Sequence, residues 1–177
     1  MPSSHRRHWM QRCLSAAVLP LLGASPMPTS SSPLATPTPI EPAVAALLRV
    51  MEDTWNASDM DAMFAVATPD IHWVNVVGMH WQGHAAVKQA HVVFFDLMFR
   101  GVPLKLEAVE HVKTLPGGLR LLVVRWLLGA YKTPSGEPRP PSQNRMSILA
   151  VPGPDGLLIS HVANIEVNPH AARHNPV

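Results

Sequence analysis

At 177 residues the chain has single-domain length, because domains cluster near about 100 to 150 residues and an N-terminal leader must first be subtracted. Lysine and arginine total 14 against 12 for aspartate and glutamate, but Arg6, Arg7 and Arg12 fall in an acid-free stretch ending at Ala35, so the remainder is close to neutral. No basic stripe is left to neutralise phosphates, which excludes nucleic acid as an expected partner, and the lone cysteine, Cys13, excludes an internal disulfide, a cysteine zinc site and a thiolate nucleophile in the body.

Residues 1–24 run in the order basic, apolar, small, which is the order of a signal peptide. The apolar run falls short of the roughly 20 residues a spanning helix needs, and Pro20 interrupts it, so no membrane span is expected. Arg6-Arg7-His8-Trp9-Met10 also resembles a twin-arginine export signal, with a histidine where serine or threonine is usual. These features predict a periplasmic or secreted protein. Residues 25–40 are mostly serine, threonine, proline and alanine, too poor in apolar surface to order themselves, and read as a disordered linker.

The folded body is expected over residues 41–167, with 168–177 as a tail. Pro42 suits a first helical turn, and Val44, Leu47, Leu48 and Met51 recur at helical spacing up to Trp55. Ser58 with Asp61 three residues on suggests a cap for a second helix over 59–67, ended by Thr68-Pro69-Asp70. Residues 71–77 are rich in β-branched and aromatic side chains and read as a strand, with a short continuation over 79–82 between Gly78 and Gly83. A third helix, 84–99, aligns Val87, His91, Phe94, Phe95 and Met98 on one stripe. Four strands follow, 102–114, 119–131, 143–151 and 157–167, joined by tight turns and one longer proline-rich loop, 132–141. Helices first and an antiparallel sheet last is the α+β order.

Trp55-Asn56-x-x-Asp59, Asp70-x-x-Trp73-Val74-Asn75-Val76-x-Gly78, Gly83-His84, His91-x-x-x-Phe95 and Ser160-His161-x-x-Asn164-Ile165 together resemble small SnoaL-like proteins of the SgcJ/EcaC type, within the nuclear transport factor 2-like superfamily. The resemblance implies a cone-shaped curved antiparallel sheet wrapped around helices, one open end leading to a pocket, and a homodimer formed through the outer sheet face. It does not imply one chemistry, since isomerases, dehydratases, cyclases, epoxide hydrolases and binding modules share the fold. The chain has no glycine-rich dinucleotide fingerprint, so no cofactor is expected.

The candidate catalytic residues are His91, Asn75 and Asp70. His91 lies on the apolar helix face, where an imidazole is either a core residue satisfied by a carbonyl or a general acid or base, the latter contributing about 10²- to 10⁴-fold. Strand alternation sets Asn75 beside Ile71 and Trp73, either tied to neighbouring backbone or positioned to donate to a substrate oxygen. Asp70, at the expected strand entrance, caps a turn or stands near the pocket mouth. The candidate pocket wall comprises Trp55, Trp73, Phe95, Met146, Asn144, Asn164 and Arg125, although Arg125 in its aliphatic run also suits an outer face or a dimer interface. Asn144 and Arg145 must face opposite ways, so at most one lines the interior. His80/His84 and His170/His174 have i, i+4 spacing, but the first pair spans Gly83 and the second lies in a polar tail, and no metal is expected.

A steroid-isomerase-like site needs interior carboxylates with a tyrosine, and Tyr131 is the only tyrosine; an epoxide-hydrolase-like site needs two acids about an arginine, and Arg125 has none along its strand. What remains is a small, largely apolar ligand with a carbonyl or hydroxyl, bound or turned over at a histidine-centred site of isomerase, dehydratase or cyclase type. The alternative is a non-catalytic ligand-binding or dimerisation module.

Overall fold

The computed structural model describes residues 40–176, so the expected leader and most of the linker lie outside the described residues. Helix α1, Pro42–Ala57, starts with proline at its first turn and buries Val44, Leu47, Leu48 and Met51. It ends in a Schellman turn: Ser58 takes a left-handed φ of 56°, its N–H donates to the Trp55 carbonyl, and the Asp59 N–H donates to the Thr54 carbonyl. Asp59, not Ser58, then caps α2, Met60–Ala65, by accepting from the Ala62 N–H at 2.9 Å. Ser58 is unavailable as a cap because it is already spent closing α1.

Strand β1, Ala67–Val74, begins four residues earlier and ends three residues earlier than the sequence suggests. Pro69 has no N–H to offer a ladder, and the pairing of β1 with its neighbour shifts register between Ala67 and His72, which accommodates it. A turn at Asn75–Met79 leads into β2, His80–Gln82; α3, His84–Phe94, follows and widens into a π-helical turn, Phe95–Phe99, where a continuous α-helix was expected. Strands β3 (Leu104–Thr114), β4 (Arg120–Leu128), β7 (Ser142–Pro152) and β8 (Leu157–Glu166) make up the rest of the main sheet. The loop 132–141 holds a two-residue hairpin, β5 (Tyr131–Lys132) with β6 (Pro138–Arg139), and a short helix α4, Pro169–Ala172, closes the described chain.

The fold class is α+β, with a curved six-stranded sheet in the order β2-β1-β8-β7-β4-β3. It is mixed rather than purely antiparallel: β1 runs parallel to β8, and the other pairings are antiparallel. Register shifts in β3·β4 and β7·β8 mark bulges, which bend and twist strands. On β4 the even positions Leu122, Val124, Trp126 and Leu128 are buried and the odd ones are not, so one sheet face forms the core wall. Helix α1 packs against β3 and β8, and α3 against β1 and β2.

Asn56 ties the first helix to the sheet. Its Nδ2 donates to the Leu104 carbonyl and its Oδ1 accepts from the Leu104 N–H, both at 2.9 Å, so an amide side chain substitutes for a ladder partner at the start of β3. One residue earlier, Trp55 Nε1 donates to the Val102 carbonyl at 2.9 Å. Asn56→Ala leaves both backbone groups of Leu104 without partners and is expected to cost about 1–3 kcal/mol, read as a lower urea midpoint at unchanged m-value.

Candidate functional site

A cavity of about 320 Å³ lies between the inner face of β1, β4, β7 and β8 and the helices α1 and α3 with the π turn. Its walls are mostly rings and sulfur: Met51, Trp55, Met63, Trp73, Trp81, Phe94, Phe95, Met98, Phe99, Trp126, Tyr131 and Met146. The π turn supplies Phe95, Met98 and Phe99 together, and Phe95 stands edge to face with Trp55 at 4.5 Å between centroids. Val76, Val77 and Met79, all exposed, bring the cavity wall out to the surface at the turn after β1.

His91 lies at the inner end, 8% exposed. Its Nδ1 donates to the Val87 carbonyl one helical turn back, at 2.8 Å, which leaves the lone pair on Nε2. Rings surround it: Trp73 at 4.6 Å, Phe64 at 4.8 Å and Trp81 at 5.6 Å between centroids. Burial among them lowers its pKa from 6.5 to about 4, against the opposing pull of the Val87 hydrogen bond. The imidazole is therefore neutral at pH 7, a hydrogen-bond acceptor at Nε2.

Asn75 also lines the cavity, but its Oδ1 is committed to the turn that follows, accepting from the Val77 N–H at 3.1 Å and the Met79 N–H at 2.8 Å. Only its Nδ2 remains to donate. On the sheet wall, pairing sets Trp126 opposite Asn144 and Asn144 opposite Glu166, with Met146 opposite Asn164 in the next row. Asn144 is 6% exposed and lines the cavity. Trp126 Nε1 and Asn164 Oδ1 are buried with no hydrogen-bond partner among the described residues. An unpaired buried amide or indole costs about 1–3 kcal/mol, so this wall carries donors and acceptors that the protein itself does not use.

Of the expected wall residues, Trp55, Trp73, Phe95, Asn144, Met146 and Asn164 line the cavity, and Arg125 does not. Arg125 occupies an outward position of β4, where Nη1 meets Glu110 at 2.9 Å and Nε lies 3.4 Å from Glu107, two acids of the adjacent strand β3. Arg145, also outside, binds Glu110 through Nε at 2.6 Å; this bond, more than the charge of Arg125, holds the Glu110 carboxyl below the usual carboxylate range. Asp70 is exposed within β1 rather than at the mouth, because the strand starts at Ala67. Trp126, within the otherwise aliphatic run 121–128, also lines the cavity, and its even phase with Leu122 and Val124 is the sequence signal for it. No three His, Cys, Asp or Glu side chains among the described residues are arranged to hold a metal ion.

No family model matches the sequence, and no curated protein matches it. Solved structures do. An uncharacterized protein with a cystatin-like fold from Caulobacter vibrioides is 34% identical, the match covering 76% of this chain and 94% of that one at a TM-score of 0.71. An NTF-2 like protein of unknown function from Shewanella oneidensis is 17% identical (70% and 96% covered, TM-score 0.57), and a ketosteroid isomerase-like protein from Erwinia carotovora atroseptica is 14% identical (72% and 95% covered, TM-score 0.59). The chain is a relative of the Caulobacter protein and shares the NTF-2 like fold of the other two. Its cavity carries an interior imidazole oriented by a main-chain carbonyl.

Because His91 must charge on unfolding but stays neutral when folded, the unfolded chain binds more protons between pH 6.5 and about 4. Its contribution to stability is complete above pH 6.5 and is lost as pH falls towards about 4. Denaturant unfolding across this range is expected to show a decline in the wild type, and His91→Phe a shallower one.

Proposed function

We propose that the domain binds a small, largely apolar molecule bearing a carbonyl or hydroxyl, in the cavity lined by His91. The observation that carries this reading is the combination of an aromatic, sulfur-rich cavity with unpartnered buried polar atoms on Asn164 and Trp126 and the amide of Asn144 on the same wall. Such a pocket rewards burial of an apolar body and reads orientation through a few polar atoms. A ligand hydroxyl donates to His91 Nε2, and Asn75 Nδ2 donates to a ligand oxygen nearer the mouth.

In the catalytic form of this reading, His91 takes a proton at Nε2 while negative charge develops on the ligand oxygen, which offsets the cost of charging a buried imidazole. The non-catalytic form is favoured by one observation: Val87 O and three aromatic rings are the partners His91 has, with no carboxylate to stabilise an imidazolium. A thermal-shift screen of phenols, aryl ketones and alicyclic alcohols, each hit then assayed for turnover, separates the two. Binding is expected in the wild type and is expected to weaken by about 1–3 kcal/mol in Asn144→Leu. If hits turn over, His91→Gln loses about 10²-fold or more in rate; hits that bind but never turn over assign the module. A domain that no such compound stabilises contradicts the ligand itself.

We further infer export to the periplasm or outside the cell, supported by the order of residues 1–24, and a homodimer through the outer sheet face, where Leu121, Val123 and Leu149 are aliphatic beside the Arg125, Glu110 and Arg145 cluster. Protein recovered from outside the cytoplasm is expected to lack the leader by mass and to sediment as a dimer that Val123→Glu dissociates. A full-length monomer retained in the cytoplasm contradicts both.

A further inference from the structure

Away from the cavity, on the other face of the sheet, three histidines stand in a row across three adjacent strands: His80 on β2, His72 on β1 and His161 on β8. Pairing sets His72 directly opposite His161, while His80, opposite Val74, is diagonal to His72 on the same face. His72 Nδ1 and His80 Nε2 are 3.0 Å apart, their rings nearly parallel at 24°, and the His161 ring lies 6.5 Å from that of His72. One of the two close nitrogens donates its N–H to the other's lone pair, so the pair shares a single proton. His80 is exposed and the other two are half-buried, which leaves the row open to solvent ions.

The geometry points to a second site: His72 and His80 chelate a late first-row divalent metal ion. Replacing the shared proton by a metal frees both lone pairs to ligate. At metal–nitrogen distances of about 2.0–2.1 Å, two nitrogens 3.0 Å apart subtend roughly 91–97° at the ion, between the angle of a tetragonal site and that of a tetrahedral one. This suits Cu²⁺ first and Ni²⁺ or Zn²⁺ next, the order imidazole donors follow in general. Because three ligands do not converge among the described residues, water fills the remaining positions and the ion stays exchangeable. The chelate bridges β1 to β2, the two arms of the hairpin whose turn carries Val76, Val77 and Met79 at the cavity mouth. Metal binding therefore clamps that hairpin, and does so without a ligand in the cavity.

Titration of the full-length protein with CuCl₂ or ZnCl₂ tests this. The expected result is one ion per chain bound at this site, a rise in melting temperature, and a Cu²⁺ electron paramagnetic resonance spectrum with two coupled nitrogens. His72→Ala and His80→Ala are each expected to weaken that binding at least about tenfold and to abolish the rise, whereas His170→Ala/His174→Ala leaves both unchanged. Circular dichroism confirms that the variants fold. Absence of saturable binding in the wild type, or binding and stabilisation unaltered in folded His72→Ala and His80→Ala, overturns the proposal. His91→Gln keeps the site, so failure of the cavity reading and failure of this one are distinguishable.

Discussion

The ring of His91 is wedged between α3 and β1, edge to face with Trp73 at 4.6 Å and tilted against Phe64 at 4.8 Å. That packing holds the helix away from the sheet, and three properties of the site depend on it. The void persists because rigid rings on both sides meet at edges and cannot slide into the remaining space. The imidazole is neutral because the same rings exclude water from it. Its Nε2 is available because the helix, through the Val87 carbonyl, already occupies the other nitrogen.

The sheet supplies the complementary wall. Bulges and a parallel pairing of β1 with β8 let a six-stranded sheet curve, so that inward positions on β4, β7 and β8 bring Trp126, Asn144 and Asn164 into adjacent rows. The outward positions of β4 and β7 carry the opposite chemistry, with Arg125 and Arg145 sharing Glu110. One alternation thus separates an apolar chamber from an outer face of paired charges. The unmet bonds of Trp126 and Asn164 destabilise the empty protein, and sites of ligand binding are where such a cost is ordinarily retained.

Much of this was legible in the residues because the period signals are strong. The apolar stripe of α1, the alternation of the late strands and the inward placing of His91 follow from spacing alone. The places where reading failed have physical reasons. Ser58 and Asp61 matched a capping pattern, but a left-handed Ser58 closing α1 moved the cap to Asp59. Pro69 looked like a helix stop and a strand start, whereas a bulge lets β1 run through it and carries Asp70 out to solvent. Arg125 suits the wall and an outer face equally in the residues, and only its acids on β3, a long-range pairing that no local pattern reveals, place it outside. Asn75 combines two roles, its oxygen holding a turn and its nitrogen left over, which residue type cannot separate.

The central claim is that a neutral His91 presents a bare Nε2 to the cavity. Nitrogen-15 NMR of the imidazole rings, with His91 assigned by comparison with His91→Gln, tests it most directly. The account requires the tautomer protonated at Nδ1 at pH 7, with the Nε2 signal shifting when a hydroxyl-bearing ligand is added. A ring that is charged at pH 7, or protonated at Nε2 in the empty protein, contradicts it.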